Sequence, residues 1–241
     1  MITAIIIILI ILATPFILFG LGVVLMLTYL YFLGLFTRGR DNSDMAVRKG
    51  FLFFSGTLVR FSRLKYKVTG ADKLPESDFL LYPNHQHYTY PFILLREFSL
   101  KDIGGLAKKE MDRIPVISTW MKRRGILMLD RKNARRGAET MVKAIKQAKS
   151  GQPMFIYPEG TRSRDGLLRE FKPGAFRLAT KSKKTIYPVA YINFDKHRIY
   201  HLRRVQCELK ILDPITYEEY SQITTAELST LVRDRISKEL R

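Results

Sequence analysis

The sequence predicts an α/β protein with a mixed, largely parallel sheet flanked by helices, preceded by an N-terminal membrane-embedded helical anchor. Three observations lead to this prediction: residues 2 to 36 contain no charged side chain, short β-rich runs follow, and helical patterns separate those runs. Strands that alternate with helices are typical of a parallel sheet covered by helices. The 241 residues are enough for one such domain with a full core.

Residues 1–40 are predicted to form the membrane anchor. A bilayer core takes about 20 helical residues, whereas this apolar run is longer and contains Pro15 and the Gly20-Leu21-Gly22 break. We therefore expect one broken helix or a helical hairpin. The run lacks the basic start, the shorter apolar core and the small-residue cleavage site of a secretory signal peptide, so we expect the anchor to be retained.

The charge balance predicts an anionic partner. Forty-one Lys and Arg against 22 Asp and Glu give a net charge of +19, which suits nucleic acid, phosphorylated metabolites or acidic lipid headgroups. Basic residues directly after the anchor place the rest of the chain on the cytoplasmic face and explain much of the charge as attraction to membrane lipids. The basic segments lack interleaved aromatics, so we expect no nucleic acid partner. These basic residues are Arg38, Arg40, Arg48 and Lys49.

Residues 41–64 are predicted to form an amphipathic helix. Its apolar residues recur at helical spacing, and basic residues occupy the rest of its surface. Two interpretations are equally compatible with this pattern: the helix lies in the membrane interface, or its aromatic stripe faces the protein core. The apolar positions are Val47, Phe51, Phe54, Leu58 and Phe61.

Residues 65–241 are predicted to form the α/β domain. A helix is expected over Ala134 to Lys149, with Ala138, Met141, Val142 and Ile145 on its apolar face, and Thr224-Thr225-Ala226-Glu227 has the form of a capping box that starts a closing helix. Cys207, the single cysteine, excludes an internal disulfide framework and is expected to be buried. The expected strands are Lys65 to Val68, Phe79 to Tyr82, Ile126 to Leu129, Met154 to Tyr157, Thr185 to Ile192 and Val205 to Leu212.

Four blocks within this domain place polar or special residues next to apolar strands. They are Tyr82 to Pro91, Gly125 to Arg131, Phe155 to Ser163, and Ile186 to Ala190. Sites in open α/β sheets lie at the carboxyl ends of strands, where the first three blocks release their polar residues.

The third block offers the groups that bind phosphate. Backbone N–H groups surround Gly160, Thr161 and Ser163 supply hydroxyls, and Arg162 supplies a guanidinium group. Taken alone, this stretch is equally an ordinary turn with an exposed arginine. The order and spacing of all four blocks favour the binding site.

Residues 65 to 195 resemble the glycerophospholipid acyltransferases, in particular the 1-acylglycerol-3-phosphate acyltransferase family. The family pattern is an Asn-His-x-x-x-x-Asp loop, a Gly-strand-Arg block, a Pro-Glu-Gly-Thr-Arg-Ser loop and a Val/Ile-Pro-Val strand. The Ala107-Lys108-Lys109-Glu110 and Phe171-Lys172-Pro173-Gly174 stretches are also similar to this family. The resemblance implies transfer of a fatty acyl group from acyl-CoA or acyl carrier protein to lysophosphatidic acid, which makes phosphatidic acid in phospholipid biosynthesis.

The resemblance also implies roles for individual residues. His85 would be the general base on the acceptor hydroxyl, a task that suits a side chain that titrates near neutrality. The acyl thioester is a co-substrate, and no resident cofactor is expected. Pro188 would line the wall of the site. The residues implied in substrate binding are Lys108, Lys109, Gly125, Arg131, Glu159, Gly160, Thr161, Arg162, Ser163 and Pro188.

The chain departs from the family pattern at Tyr90, where the family has a carboxylate that orients the histidine and offsets its developing charge. A tyrosine hydroxyl accepts a hydrogen bond but is uncharged at neutral pH. Losing the aspartate of a serine-protease triad costs about 10⁴ in rate. Three explanations follow: a carboxylate such as Asp78 or Glu97 replaces it, Tyr90 supports slow turnover, or the chain binds lipid phosphate without catalysis, as a relative or as an inactivated variant.

Two further kinds of site are considered and not predicted. His85-Gln86-His87 and His197-x-x-x-His201 have spacings seen at metal sites, but no Cys or carboxylate completes a ligand set, so no metal is expected. The chain also lacks a Gly-x-Ser-x-Gly nucleophile elbow and a Walker-type phosphate loop.

Overall fold

The computed structural model describes residues 2–39, 44–62, 64–86, 90–163, 165–194 and 206–240. The α-helices are α1 Ile2–Phe36, α2 Met45–Phe61, α3 Tyr90–Glu97, α4 Pro115–Arg123, α5 Ala134–Lys149, α6 Arg177–Ser182, α7 Tyr217–Tyr220 and α8 Thr225–Glu239. The strands are β1 Lys65–Thr69, β2 Phe79–Pro83, β3 Gly104–Lys108, β4 Ile126–Leu129, β5 Met154–Phe155, β6 Thr185–Ile192 and β7 Gln206–Ile211.

The strands form one sheet in the order β1-β7-β6-β2-β5-β3-β4. All neighbours are parallel except β6 and β7. The predicted α/β fold with a mixed, largely parallel sheet is therefore confirmed. The carboxyl ends of β2, β3, β4, β5 and β6 share one edge, whereas β1 and β7 run in the opposite direction and begin at that edge.

Helix α1 runs without interruption over 35 residues, through both Pro15 and Gly20-Leu21-Gly22. The expected break or hairpin is therefore wrong. Proline and glycine are tolerated within membrane helices, and the helix passes through Pro15 without a break. The segment Ile10–Phe36 is long and apolar enough to cross a membrane, and Phe16 is 78% exposed.

The last turns of α1 pack onto the α/β domain. The indole Nε1 of Trp120 in α4 donates to the Leu30 carbonyl at 3.1 Å, and Leu30 is fully buried. Arg123 donates to the Thr37 carbonyl and hydroxyl just past the helix end. Helix α2 crosses α1 closely at Gly50, where a Cβ atom would lie 2.2 Å from Cδ2 of Leu33.

Helix α2 turns most of its apolar stripe toward the core. Val47, Phe51 and Phe54 are all buried, which supports the core-facing alternative and corrects the interfacial one for these side chains. The side chains of Leu58 and Phe61 lie outside the described part of the chain. Phe53 is exposed on another side of α2, where its ring meets Tyr29 of α1 edge-on at 5.4 Å.

Helices cover both faces of the sheet and bury a separate core on each. One core joins α2, α3, α4 and the end of α1, and the other joins α5, α6 and α8. Helix α5 has the predicted bounds, and Met141 and Ile145 of its predicted apolar face pack partly buried against the core. Its fully buried positions are Ala144 and Ala148, whereas the predicted Val142 and Ala138 are exposed, so the predicted face is partly wrong. Strand β3 was not predicted. Cys207 is buried as expected.

Candidate active site

His85 lies two residues past the end of β2, and its backbone is held from both sides by the loop that follows β5. The backbone N–H of His85 donates to Oε1 of Glu159 at 2.7 Å. The carbonyl of His85 accepts a hydrogen bond from the backbone N–H of Ser163 at 2.9 Å. The structure therefore joins the first and third sequence blocks at the carboxyl edge of the sheet.

Asn84 fixes the start of the His85 loop against β6. Its side chain is fully buried. Its Oδ1 accepts from the backbone N–H of Tyr191 at 2.8 Å, and its Nδ2 donates to the Tyr191 carbonyl at 3.4 Å. Beyond the end of β2, the Asn84 side chain therefore satisfies the backbone N–H and carbonyl of Tyr191 in β6, as the backbone of a neighbouring strand would. Sequence reasoning gave Asn84 no role, although a polar residue between a buried strand and His85 was a usable signal.

The imidazole ring of His85 lies against the ring of Tyr157. The two centroids are 4.3 Å apart with an interplanar angle of 32°. Tyr157 lies two residues past β5 and is buried. Sequence reasoning also missed this residue, whose aromatic ring directly before Pro158 was the only available signal.

Tyr90 is the first residue of α3 and is fully buried. Its ring stacks on Tyr191 at 3.9 Å and meets Phe194 edge-on at 4.9 Å, and its centroid lies 6.2 Å from that of His85. Its hydroxyl donates to Oε1 of Gln86 at 3.2 Å. Tyr90 thus adjoins the imidazole and forms part of an aromatic cluster.

The two carboxylates considered as replacements lie elsewhere. Asp78 precedes β2 and pairs with Lys184 at 2.5 Å, so the length of β2 places it about 20 Å from His85. Glu97 ends α3, about 10 Å further along the helix than Tyr90, and accepts a hydrogen bond from the Tyr66 hydroxyl at 2.5 Å. Neither carboxylate substitutes for the one that the family pattern places at position 90.

Glu159 is a buried carboxyl, only 2% exposed. Desolvation raises its pKa to about 7, opposed by the hydrogen bond from the His85 backbone. The turn after it needs a glycine, because Gly160 has φ +74° and a Cβ there would lie 3.3 Å from the Lys172 side chain. Glu159 and Gly160 therefore shape the loop, and Glu159 points its carboxyl at the protein backbone.

The same loop carries exposed polar side chains that can contact an anionic ligand. Thr161 and Arg162 are both exposed. Ser163 is buried, and its hydroxyl donates to Asp165 at 2.9 Å. Within residues 160–163, Thr161 and Arg162 are consequently side chains that a phosphate can reach from solvent.

Further cations follow the neighbouring strands β3 and β4. Lys108 pairs with Glu110 at 3.2 Å, and Lys109 pairs with Asp130 at 2.7 Å. Arg131 follows β4 and is exposed. Because adjacent strands lie about 4.8 Å apart, the strand order β2-β5-β3-β4 puts Arg131 about 14 Å across the edge from His85.

Two predicted site residues lie away from this edge. Gly125 precedes β4 at the opposite edge of the sheet, with φ +70° and a virtual Cβ 2.6 Å from Nε2 of Gln152. Pro188 lies within β6 opposite Tyr82, and its carbonyl accepts from the backbone N–H of Leu212 at 2.9 Å. The left-handed backbone and the close Gln152 side chain account for Gly125, and Pro188 is a residue of strand β6.

Most of the histidines considered for a metal site lie beyond the ranges that the structure describes. His87, His197 and His201 lie outside the described residues. Within the described ranges, no group of three or more His, Cys, Asp or Glu side chains is arranged to hold a metal ion.

A family model described as Acyltransferase matches residues 65–192, which is more than half of the chain. The chain belongs to the acyltransferase family. The matched region begins at β1 and ends at β6, so it contains both loops that meet at His85.

Individual members of this family are similar over most of the chain. A protein of Borreliella burgdorferi named 1-acyl-sn-glycerol-3-phosphate acyltransferase is 31% identical over 73% of this chain and 72% of its own length. A protein of the same name from Helicobacter pylori is 31% identical over 72% of this chain and 68% of its own length. The relative from Saccharomyces cerevisiae is 30% identical, and the chain spans 60% of its length.

A solved structure shows the same fold. The 1-acyl-sn-glycerophosphate (LPA) acyltransferase of Thermotoga maritima superposes with a TM-score of 0.69, at 22% identity, over 90% of this chain and 93% of that one.

Proposed function

We propose that this acyltransferase transfers a fatty acyl group from an acyl thioester to the free hydroxyl of lysophosphatidic acid, giving phosphatidic acid. The names of the relatives support this acceptor and product. The observation that carries the proposal is the pair of hydrogen bonds to the backbone of His85. Its N–H donates to Glu159, and its carbonyl accepts from the N–H of Ser163. These bonds keep a candidate base and a candidate phosphate-binding loop in one place, which supports a site for one phosphorylated alcohol.

The proposed reaction uses His85 as general base. The imidazole takes the proton of the acceptor hydroxyl, and the oxygen attacks the thioester carbonyl carbon. The new ester bond forms as the carbon–sulfur bond breaks, and the proton on His85 passes to the departing sulfur. General acid–base catalysis of this kind contributes about 10²–10⁴ in rate, and holding two substrates in line supplies a further large factor.

The proposed acceptor site surrounds the acceptor's phosphate with the exposed cations of this edge. Thr161 and Arg162 lie between Glu159 and Ser163, the two residues that bond the backbone of His85. Guanidinium groups such as that of Arg162 bind phosphate through two parallel hydrogen bonds. Arg131, Lys108 and Lys109 extend the positive surface toward β4. In this arrangement Glu159 positions His85 and does not itself contact the phosphate, which a carboxylate would repel.

Association of the protein with a membrane is supported by α1, whose segment Ile10–Phe36 is long and apolar enough to cross one. The cytoplasmic placement of the α/β domain remains a proposal, supported by Arg38 and Arg40 directly after the apolar run. The donor is proposed to be acyl-CoA or acyl-ACP, so acyl carrier protein is a candidate partner.

The test is acyl transfer from acyl-CoA or acyl-ACP to lysophosphatidic acid in vesicles. His85→Ala is expected to lower kcat by a factor of about 10² or more, because the hydroxyl loses its base. Arg162→Ala is expected to raise the KM for lysophosphatidic acid, while Arg177→Ala, which removes an exposed arginine outside the site, leaves it unchanged. Full activity of His85→Ala would remove the proposed mechanism.

Tyr90 supports a second candidate, a lipid-phosphate-binding protein with little turnover, because a neutral phenol replaces a charged group beside His85. Tyr90→Asp distinguishes the two. A rate gain of orders of magnitude would identify Tyr90 as the cause of slow turnover. Binding of lysophosphatidic acid without transfer by any variant would establish the binding protein instead.

A further inference from the structure

We propose that the ring face of Tyr157 stabilises the positively charged imidazolium that forms when His85 takes a proton. The effect on turnover rests on the proposed function, whereas the effect on the protonation of His85 does not. Tyr157 would then supply, through its ring, part of the charge stabilisation that a carboxylate supplies in the family pattern.

The geometry of the two rings is that of a face contact. Their centroids are 4.3 Å apart and their planes are inclined by 32°. A cation within about 6 Å of an aromatic centroid is attracted by the negative ring face, and the attraction grows when water is excluded. Tyr157 is buried, with 7% of its surface exposed, so the contact lies in a site of low polarity.

The Tyr157 ring acts alongside the titratable groups that the structure describes near His85. Burial raises the pKa of Tyr157 well above its usual range, so its phenol is neutral whenever His85 is active. Burial raises the pKa of Tyr191 in the same way. The Tyr90 hydroxyl donates to Gln86. The Glu159 carboxyl accepts from the backbone N–H of His85 and adds its negative charge to the effect of the ring when it is ionised.

The position of the Tyr157 ring is fixed by its neighbours. Phe155, two residues earlier on the same strand face, meets it edge-on at 5.7 Å. Pro158 follows directly and restricts the backbone of Tyr157 to extended conformations. A ring that is held in place needs little rearrangement when charge appears on His85.

The role assigned to the ring predicts that the hydroxyl is dispensable. Tyr157→Phe keeps the face and should leave the pKa of His85 within about 0.3 unit, and kcat within about twofold, of the original values. Tyr157→Leu removes the face and should lower the pKa of His85 by about one unit and kcat about tenfold, since one pKa unit is a factor of ten in the protonation equilibrium. The KM for the acceptor should not change, because Tyr157 acts through His85.

The experiment is NMR titration of histidine-labelled full-length protein in detergent micelles. The four histidines are distinguished by the loss of one signal in His85→Ala. Phe79→Leu is the matched control, since it removes a buried ring from the same core at the far end of β2, and it should leave the His85 titration unchanged. Pentafluorophenylalanine in place of Tyr157 keeps the shape, reverses the charge of the ring face, and should lower the pKa at least as much as Tyr157→Leu.

An unchanged His85 pKa in both the leucine and the fluorinated variants would overturn the proposal. A drop in Tyr157→Phe equal to that in Tyr157→Leu would overturn it too, because the hydroxyl would then be the active group. Absence of acyl transfer by the unmodified chain would count against the proposed function alone, since the titration is independent of turnover.

Discussion

At the residue scale, Glu159 positions the backbone of His85 and lowers the stability of the fold when its buried carboxyl ionises. A buried carboxyl ionises reluctantly, and the pKa of Glu159 is accordingly raised to about 7, yet its Oε1 holds the backbone of His85. The unfolded chain loses the proton near the ordinary glutamate pKa of about 4.3. Between those two values the folded protein binds more protons than the unfolded one, so its stability falls as pH rises.

Glu159→Gln should remove this pH dependence. The amide keeps an oxygen for the His85 N–H and cannot ionise, so the variant should match the original near pH 4.5. Above pH 7 it should be more stable by up to about 3 kcal/mol, the equivalent of the raised pKa. Denaturant unfolding at both pH values measures the difference, and Glu170→Gln, which removes an exposed carboxyl from the same loop, is the control. A stability difference that is the same at both pH values would contradict the prediction.

Individual site residues were predictable from the sequence only where the family resemblance assigned them a role. His85, Thr161 and Arg162 lie at the carboxyl edge as the motifs indicated. Asn84 and Tyr157 act through contacts with β6 and with the His85 ring, and such contacts depend on which strands are neighbours. Gly125 belongs to the same motif block as Arg131 but lies at the other end of β4.

At the element scale, apolar patterning predicted the strands rich in β-branched and aromatic residues and missed β3. The segment Gly104–Lys108 begins with two glycines, which disfavour strands in isolation. Tertiary packing makes Gly105 necessary, because a Cβ there would lie 2.7 Å from the Phe155 ring. The apolar face of α5 was predicted only in part: Met141 and Ile145 pack against the core as expected, but Ala144 and Ala148 are its fully buried residues and Val142 is exposed.

The crossing of α1 and α2 gives an element-scale prediction at Gly50. Gly50→Leu should destabilise the fold by several kcal/mol, since a Cβ there already overlaps Leu33 and lies 3.1 Å from the Trp120 ring. Gly56→Leu is the matched control in the same helix, because nothing lies within 4 Å of its virtual Cβ. Thermal unfolding in detergent should show a lower Tm for the first variant alone. Equal Tm values would mean that α1 does not pack on α2 in solution.

At the scale of the whole molecule, the α/β architecture and the apolar anchor were both predictable, because strand–helix alternation and a long uncharged run are strong signals. The continuity of α1 was not, since its proline and glycines predicted a break. The final turns of α1 belong to the core of the α/β domain through Leu30 and Trp120. The anchor and the domain therefore form one folded unit.

Deleting residues 2–27 should separate membrane contact from folding. The shortened chain keeps Leu30 and the Thr37 contact, so it should still fold. Its activity on long-chain acceptors should fall more than its activity on soluble short-chain ones, because a long-chain acceptor resides in the leaflet. Acyl transfer to both acceptors, with circular dichroism as the folding control, tests this. Equal losses on both acceptors would contradict a role for the anchor in substrate access.

The exposed apolar surface of α1, with Phe16 and Ile11 turned outward, changes how the enzyme searches for its acceptor. Once the helix is dissolved in lipid, enzyme and acceptor share a two-dimensional solvent and meet by lateral diffusion. The governing concentration is then the mole fraction of acceptor within the surface. Diluting that surface with neutral phospholipid, at constant total acceptor, should slow the reaction as though acceptor had been withdrawn.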